Sequence, residues 1–187
     1  MKNFKANWHT SIKEINKNVW NKLSSENNPF YTWDWLNQLE ISNSVNNQNG
    51  WQSLHLSLSK DGQIIAIAPL YLKNHSYGEF IFDQSFCKLA NELGLNYYPK
   101  LIGMSPVSPI EGYRFFISSE EDELEITTIM IKIIDKFATD NGIVSCNFLY
   151  VDPSWSKLAE QLNCAKWLNQ KSIWVANNEK NFTDYLD

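Results

Sequence analysis

One segment constrains the fold more than any other. From Trp51 to Ser59 the residues alternate, with Leu54, Leu56 and Leu58 against His55, Ser57 and Ser59. A period of two marks a half-buried strand. Lys60-Asp61-Gly62 then supplies a hairpin turn. Gln63 to Leu72 returns as a strand that is apolar on both faces, as a central strand is. Pro69 has no N–H to donate, so the ladder is expected to break or bulge there.

Around this hairpin the sequence predicts alternating elements. Ile12, Ile15, Val19, Trp20 and Leu23 recur at three and four, the period of an amphipathic helix over 12–23. A second helix is predicted over 31–41 with Thr32 as its cap, and a short one over 86–93 stopped by Gly94. The longest covers 121–140, where Ile126, Ile129, Met130, Ile133, Ile134 and Phe137 form one stripe and Asn141-Gly142 ends it. Asp152-Pro153 reads as a cap followed by proline in the first helical position. Strands are predicted over 75–83, 97–104, 113–117, 143–151 and 164–176, and the first turns of another helix over 181–187. The order is that of a mixed α/β (α+β) domain.

Composition bounds the function. The chain has 187 residues, enough to bury a proper core, and its eight Trp, eight Tyr and ten Phe exclude a disordered polar chain. The longest apolar run, Ile64 to Leu72, falls far short of the ~20 residues that span a bilayer. The start of the chain has no apolar stretch of the signal-peptide kind, so the expected compartment is the cytoplasm. A net charge of −5 and dispersed lysines argue against binding DNA. Cys87, Cys146 and Cys164 show no CxxC or Cys/His ligand spacing, which points to reduced thiols and no metal site. Arg114 stands alone among fifteen lysines, and lysine cannot copy its bidentate fork.

Three segments carry side chains with chemistry. If 75–83 is extended, His75, Tyr77, Glu79, Ile81 and Asp83 share one face. That face is either a general acid/base cluster, an amine-binding surface, or the wet side of an edge strand. Tyr97, Tyr98 and Lys100 either line a cleft or open a strand with an exposed lysine. In 105–114 two prolines and Gly112 lead to Arg114, which either holds a carboxylate or phosphate or makes a surface pair with Glu111. No GxSxG, GxGxxG or GxxxxGK[ST] occurs.

The segments Asn28-Pro29-Phe30, Gly50-Trp51-Gln52, the run from Ala68 to Asp83 (APLYLKNHSYGEFIFD) and Tyr97 to Leu101 (YYPKL) resemble the FemAB-like, peptidoglycan biosynthesis/recognition branch of the GNAT acyltransferases. The resemblance implies a GNAT-like mixed sheet flanked by helices. It implies a first GNAT-like domain over 1–176, the start of a linker helix over 177–187, and a second GNAT-like domain beyond. It implies acyl transfer, of an acetyl or aminoacyl group, to an amine carried by a small molecule or peptide, in a cell-wall-related setting. Single-domain relatives hold a pyrophosphate on a Gln/Arg-x-x-Gly-x-Gly/Ala loop that opens a helix. Here 121–140 opens instead on Ser118-Ser119-Glu120-Glu121-Asp122-Glu123, so this domain is expected to bind no cofactor. The donor, acetyl-CoA or aminoacyl-tRNA, would then come through the second domain.

On this reading His75 or Glu79 is the base and Tyr77 or Tyr98 the proton donor. Lys100 and Arg114 hold anions, and Lys73, Asp83 and Tyr98 join them in binding substrate. Two other readings stand beside it: a non-catalytic module that recognises a peptide or partner, and a truncated fragment.

Overall fold

The computed structural model describes residues 3–24, 28–170, 172, 175 and 180–186. Among the described residues eight strands form two four-stranded sheets, and one hairpin belongs to both. Strands β2 (Trp51–Ser53) and β3 (His55–Lys60) form its first arm, and β4 (Gln63–Ala68) and β5 (Tyr71–Lys73) its second. Trp51 lies opposite Lys73, and Leu58 opposite Ala66, in one antiparallel register that shifts only between Leu58 and Ser59. Pro69 breaks the second arm, as expected from its missing N–H. Across the gap the Leu54 N–H still reaches the Leu70 carbonyl at 2.9 Å. The Leu70 N–H turns to the Nδ1 of buried His55 at 3.3 Å.

β3 and β4 lie in the first sheet, flanked by β1 (Phe4–His9) and β7 (Phe116–Ile117), in the order β1-β3-β4-β7. β2 and β5 lie in the second, with β6 (Lys100–Gly103) and β8 (Cys146–Phe148), in the order β2-β5-β6-β8. β6 runs antiparallel to β5 and β7 antiparallel to β4, so both lie along the same hairpin arm. Residues 104–115 loop out between them. β8 pairs parallel with β6, and an isolated bridge joins Tyr113 to Val151.

Helices cover the sheets. The predicted helix over 12–23 is split: Ile12–Glu14 form a 3-10 turn, and α1 (Lys17–Ser24) begins after Asn16. The Asn16 side chain accepts the Asn18 N–H at 2.9 Å, and this capping restarts the helix. α2 (Trp33–Ile41) starts at its expected cap, Thr32. α3 (Gln84–Glu92) follows Asp83. α4 (Glu123–Asp140) buries Ile126, Met130 and Ile134, and its Phe137 meets Trp8 with ring centroids 4.3 Å apart. α5 (Pro153–Gln161) is capped by Asp152, and α6 (Phe182–Leu186) lies in the predicted 181–187 stretch.

The core centres on Trp20, which packs against Phe116 and His55, and on Leu56, Ala66 and Ile67. A second aromatic group fills the space beside the loop-out. Tyr113 stacks on Phe148 at 5.7 Å and meets Trp155, and its hydroxyl donates to the Pro69 carbonyl. Gly103 makes this possible, since a Cβ there would lie 2.3 Å from the Tyr113 ring.

Three sequence expectations are corrected. β1 lies ahead of the first predicted element, although Phe4, Ala6 and Trp8 alternate with Lys5, Asn7 and His9. Residues 75–83 are not a strand: they form a loop in which Gly78 and Phe80 have φ of +81° and +59°. Residues 164–170 of the predicted last strand are irregular, and the rest of that prediction falls mostly outside the described residues.

Candidate functional site

The register of β5 and β6 sets Lys73 directly opposite Lys100. Both are buried, at 0% and 1% exposure. Like charges at facing strand positions repel, and burial strips each of water. The loop 74–83 folds back to supply the missing negative charge. Lys100 Nζ donates to Glu79 Oε2 at 2.7 Å, to Asp83 Oδ2 at 2.5 Å and to Ser76 Oγ at 2.8 Å. All three ammonium protons are thereby used.

Asp83 Oδ2 also accepts from Tyr97 at 2.7 Å and from Ser76 at 2.8 Å. The one proton of Ser76 points at Asp83, so in its 2.9 Å contact with Tyr98 the tyrosine hydroxyl is the donor. Ser76 and Tyr98 are half-buried, so the network reaches the surface there. Tyr150 closes another side by donating to the Glu79 carbonyl at 3.0 Å.

Burial acts against both carboxylates, with different results. It raises the proton affinity of Glu79 despite the Lys100 hydrogen bond. Glu79 Oε1 is buried and finds no hydrogen-bond partner among the described residues. At Asp83 burial also pulls upward, but hydrogen bonds from Lys100, Tyr97 and Ser76 outweigh it and hold the carboxyl below its usual range. Burial lowers Lys73 to about 8, opposed by the nearby Glu79 charge and aided by that of Lys100. Lys73 Nζ donates to the Tyr77 carbonyl at 3.0 Å and sits 3.7 Å from the centre of a Trp51 ring. Tyr97 and Tyr98 are both pushed up, first by burial, so their phenols stay protonated.

Of the sequence-predicted residues, Lys73, Glu79, Asp83, Tyr98 and Lys100 come together. Three do not join them as expected. His75 lies against the backbone of Gly50, where a Cβ would be 2.2 Å from its Nε2. Its Nδ1 accepts the Tyr77 N–H at 3.2 Å, and burial, then the Lys73 charge, lower its proton affinity. Tyr77 contributes its carbonyl, while the residue is 81% exposed. Arg114 pairs with Glu123 at the start of α4 (3.6 Å), away from the cluster.

An extended 75–83 would set Ser76 on the opposite face from Asp83. The loop conformation removes that separation and makes Ser76 a junction. Trp51 and Tyr150 were also missed, because each is brought in from a distant element. The sequence pattern did place two tyrosines beside Lys100, and that was the usable signal for Tyr97.

A cleft of about 270 Å³ lies on another side of Trp51, lined also by Thr10, Glu40, Asn46, Gln52 and Ser53. None of the predicted site residues lines it. Glu40 accepts the Ile12 N–H (3.0 Å) and the hydroxyls of Ser53 (2.7 Å) and Ser11 (2.6 Å). At the far end of the hairpin, Lys60 pairs with Glu121 at 2.6 Å. There Asp122 caps α4 with its own carboxylate, which accepts the Glu125 N–H at 2.7 Å. Among the described residues no group of three or more His, Cys, Asp or Glu is arranged to hold a metal ion. No helix among them is long and apolar enough to cross a membrane.

Two solved acetyltransferases share this architecture. The aminoglycoside N-acetyltransferase AAC(6')-Iy, solved in complex with CoA, superposes with a TM-score of 0.52 at 10% identity, covering 95% of this chain and 97% of that one. The ribosomal-protein-alanine N-acetyltransferase of Brucella melitensis biovar Abortus 2308 gives 0.53 at 10% identity, covering 93% and 100%. At this identity the likeness shows the fold, that of the GNAT acetyltransferases. No curated protein sequence matches the chain. The FemAB-like family model, described as peptidoglycan biosynthesis/recognition, matches residues 11–187, and the chain belongs to that family.

Proposed function

We propose that this chain is an N-acyltransferase domain that passes an acyl group to an amine on a small molecule or peptide. The observation that carries the reading is the buried Lys73–Lys100–Glu79–Asp83 cluster, at one end of the central strands of an acetyltransferase fold. A core built for stability alone would place apolar pairs there, since buried ion pairs rarely outperform them. Shifted ionisable groups gathered in one place, Lys73 lowered to about 8, Glu79 raised and Asp83 lowered, point to chemistry.

In the reaction the amine nitrogen attacks the donor's acyl carbon. A C–N bond forms, the C–S or C–O bond to the leaving group breaks, and one amine proton must be taken up. An amine meeting Ser76 is one hydrogen bond from Asp83, and Lys100 bridges Ser76 to Glu79. Glu79, whose burial raises its proton affinity, is the group to hold that proton. The donor is acetyl-CoA or aminoacyl-tRNA, delivered through a second GNAT-like domain. The acids at the start of α4 disfavour a pyrophosphate there.

Those same acids favour a second reading, a module that binds an amine-bearing peptide without turnover. The two are separated by incubating the purified chain with radiolabelled acetyl-CoA and a panel of peptide amines. Transfer that falls about 100-fold or more in Glu79→Gln supports the catalytic role. Equal transfer by wild type, Glu79→Gln and His75→Ala removes it, and amine binding without transfer, both by this chain and by a two-domain relative, supports the module.

A further inference from the structure

Helix α3 turns an apolar edge away from the protein. Phe86, Leu89 and Leu93, spaced at three and four, are 49%, 52% and 66% exposed, while Ala90 faces inward. Phe82 precedes them at 83% exposure. Trp167 packs on Phe86 with ring centroids 4.9 Å apart and is itself 50% exposed, and Leu168 beside it is 78% exposed. At ~200 Å² per aromatic side chain the three rings expose roughly 350 Å². The leucines bring the patch to about 700 Å², above what monomers usually leave open and close to the ~800 Å² each partner gives a standard interface.

We propose that this face is the contact between two copies of this chain, related by a two-fold axis that crosses α3 near Ala90. The charges on the helix fit that occupant. Lys88 and Glu92 flank the apolar edge, are 80% and 60% exposed, and face each other loosely at 3.9 Å. Antiparallel packing about Ala90 sets Lys88 of each copy opposite Glu92 of the other, so no like charges meet across the axis. The patch is electrically neutral although the chain carries −5, so the general repulsion between copies is weakest where they would touch. The same net charge opposes an anionic lipid surface as the occupant. The contact is independent of acyl transfer.

The test is the mass of the full chain in solution, by analytical ultracentrifugation from micromolar to submillimolar concentration. The expected result is a concentration-dependent rise from 21.8 kDa toward twice that value. Leu89→Glu, at an exposed position, is expected to stay monomeric with an unchanged circular dichroism spectrum. Lys88→Glu is expected to weaken the dimer tenfold or more, and Lys88→Glu combined with Glu92→Lys to restore it. A chain that is monomeric throughout overturns the proposal, as does a dimer indifferent to Leu89→Glu or to the charge reversal. A monomer that floats with phosphatidylcholine vesicles also overturns it and assigns the patch to lipid.

Discussion

His55 shows how one side chain repairs a local defect at a cost set by pH. The break at Pro69 frees the Leu70 N–H, and His55 Nδ1 accepts it. That role requires an unprotonated Nδ1. Burial, with the His9 charge adding to it, lowers His55 to about 3, against about 6.5 in an unfolded chain. The unfolded state therefore binds the extra proton first. Stability is complete above pH ~6.5 and falls as pH drops from there toward 3, by about 1.4 kcal/mol per unit for this one proton. Urea unfolding at a series of pH values is expected to show this slope, and His55→Gln to flatten it between pH ~4 and ~6.5. The alternation of Trp51–Ser59 places His55 beside leucines in the sequence, but not in the interior. It puts His55 on the polar face, whereas every residue from Leu54 to Ser59 is buried. Alternation reveals the strand; burial of both faces follows from elements packed above and below it, which a local pattern does not contain.

The loop 74–83 explains why the site was legible and its shape was not. The charged residue types and the Tyr-Tyr-Pro-Lys run were visible, and Glu79, Asp83, Tyr98 and Lys100 do converge. Their convergence depends on positive φ at Gly78 and Phe80, which turns a segment with strand-like spacing into a fold-back. The long-range pull is two facing lysines that need anions, and that arises only once β5 and β6 pair. Replacing Lys100 by Met leaves Glu79 and Asp83 buried without their cation. This is expected to destabilise the protein by about 3–5 kcal/mol in chemical denaturation, whereas Arg114→Met, at an exposed pair, costs under ~1 kcal/mol. Gly103→Ala drives a methyl into the Tyr113 ring and is expected to cost about 1–3 kcal/mol in the same measurement.

At the scale of the whole molecule, the mixed α/β class is readable because the hairpin and the longest helix carry strong periodicity, while the acetyltransferase fold follows from the resemblance of the motifs. β1, β7 and β8 were harder: they are two to six residues long, and neighbours supply much of their definition. Two four-stranded sheets in one chain suggest two halves able to loosen separately. The continuous hairpin prevents it, because each of its arms is a strand in both. Melting one sheet would strip half the pairing from the strands that hold the other. The amides of Leu58 and Leu101, one in each sheet, are therefore expected to exchange with deuterium at the same opening free energy, equal to that of global unfolding. The Pro69 gap thus acts as an articulation without being a seam: it lets the ribbon change direction while the protein comes apart, when it does, in a single cooperative event.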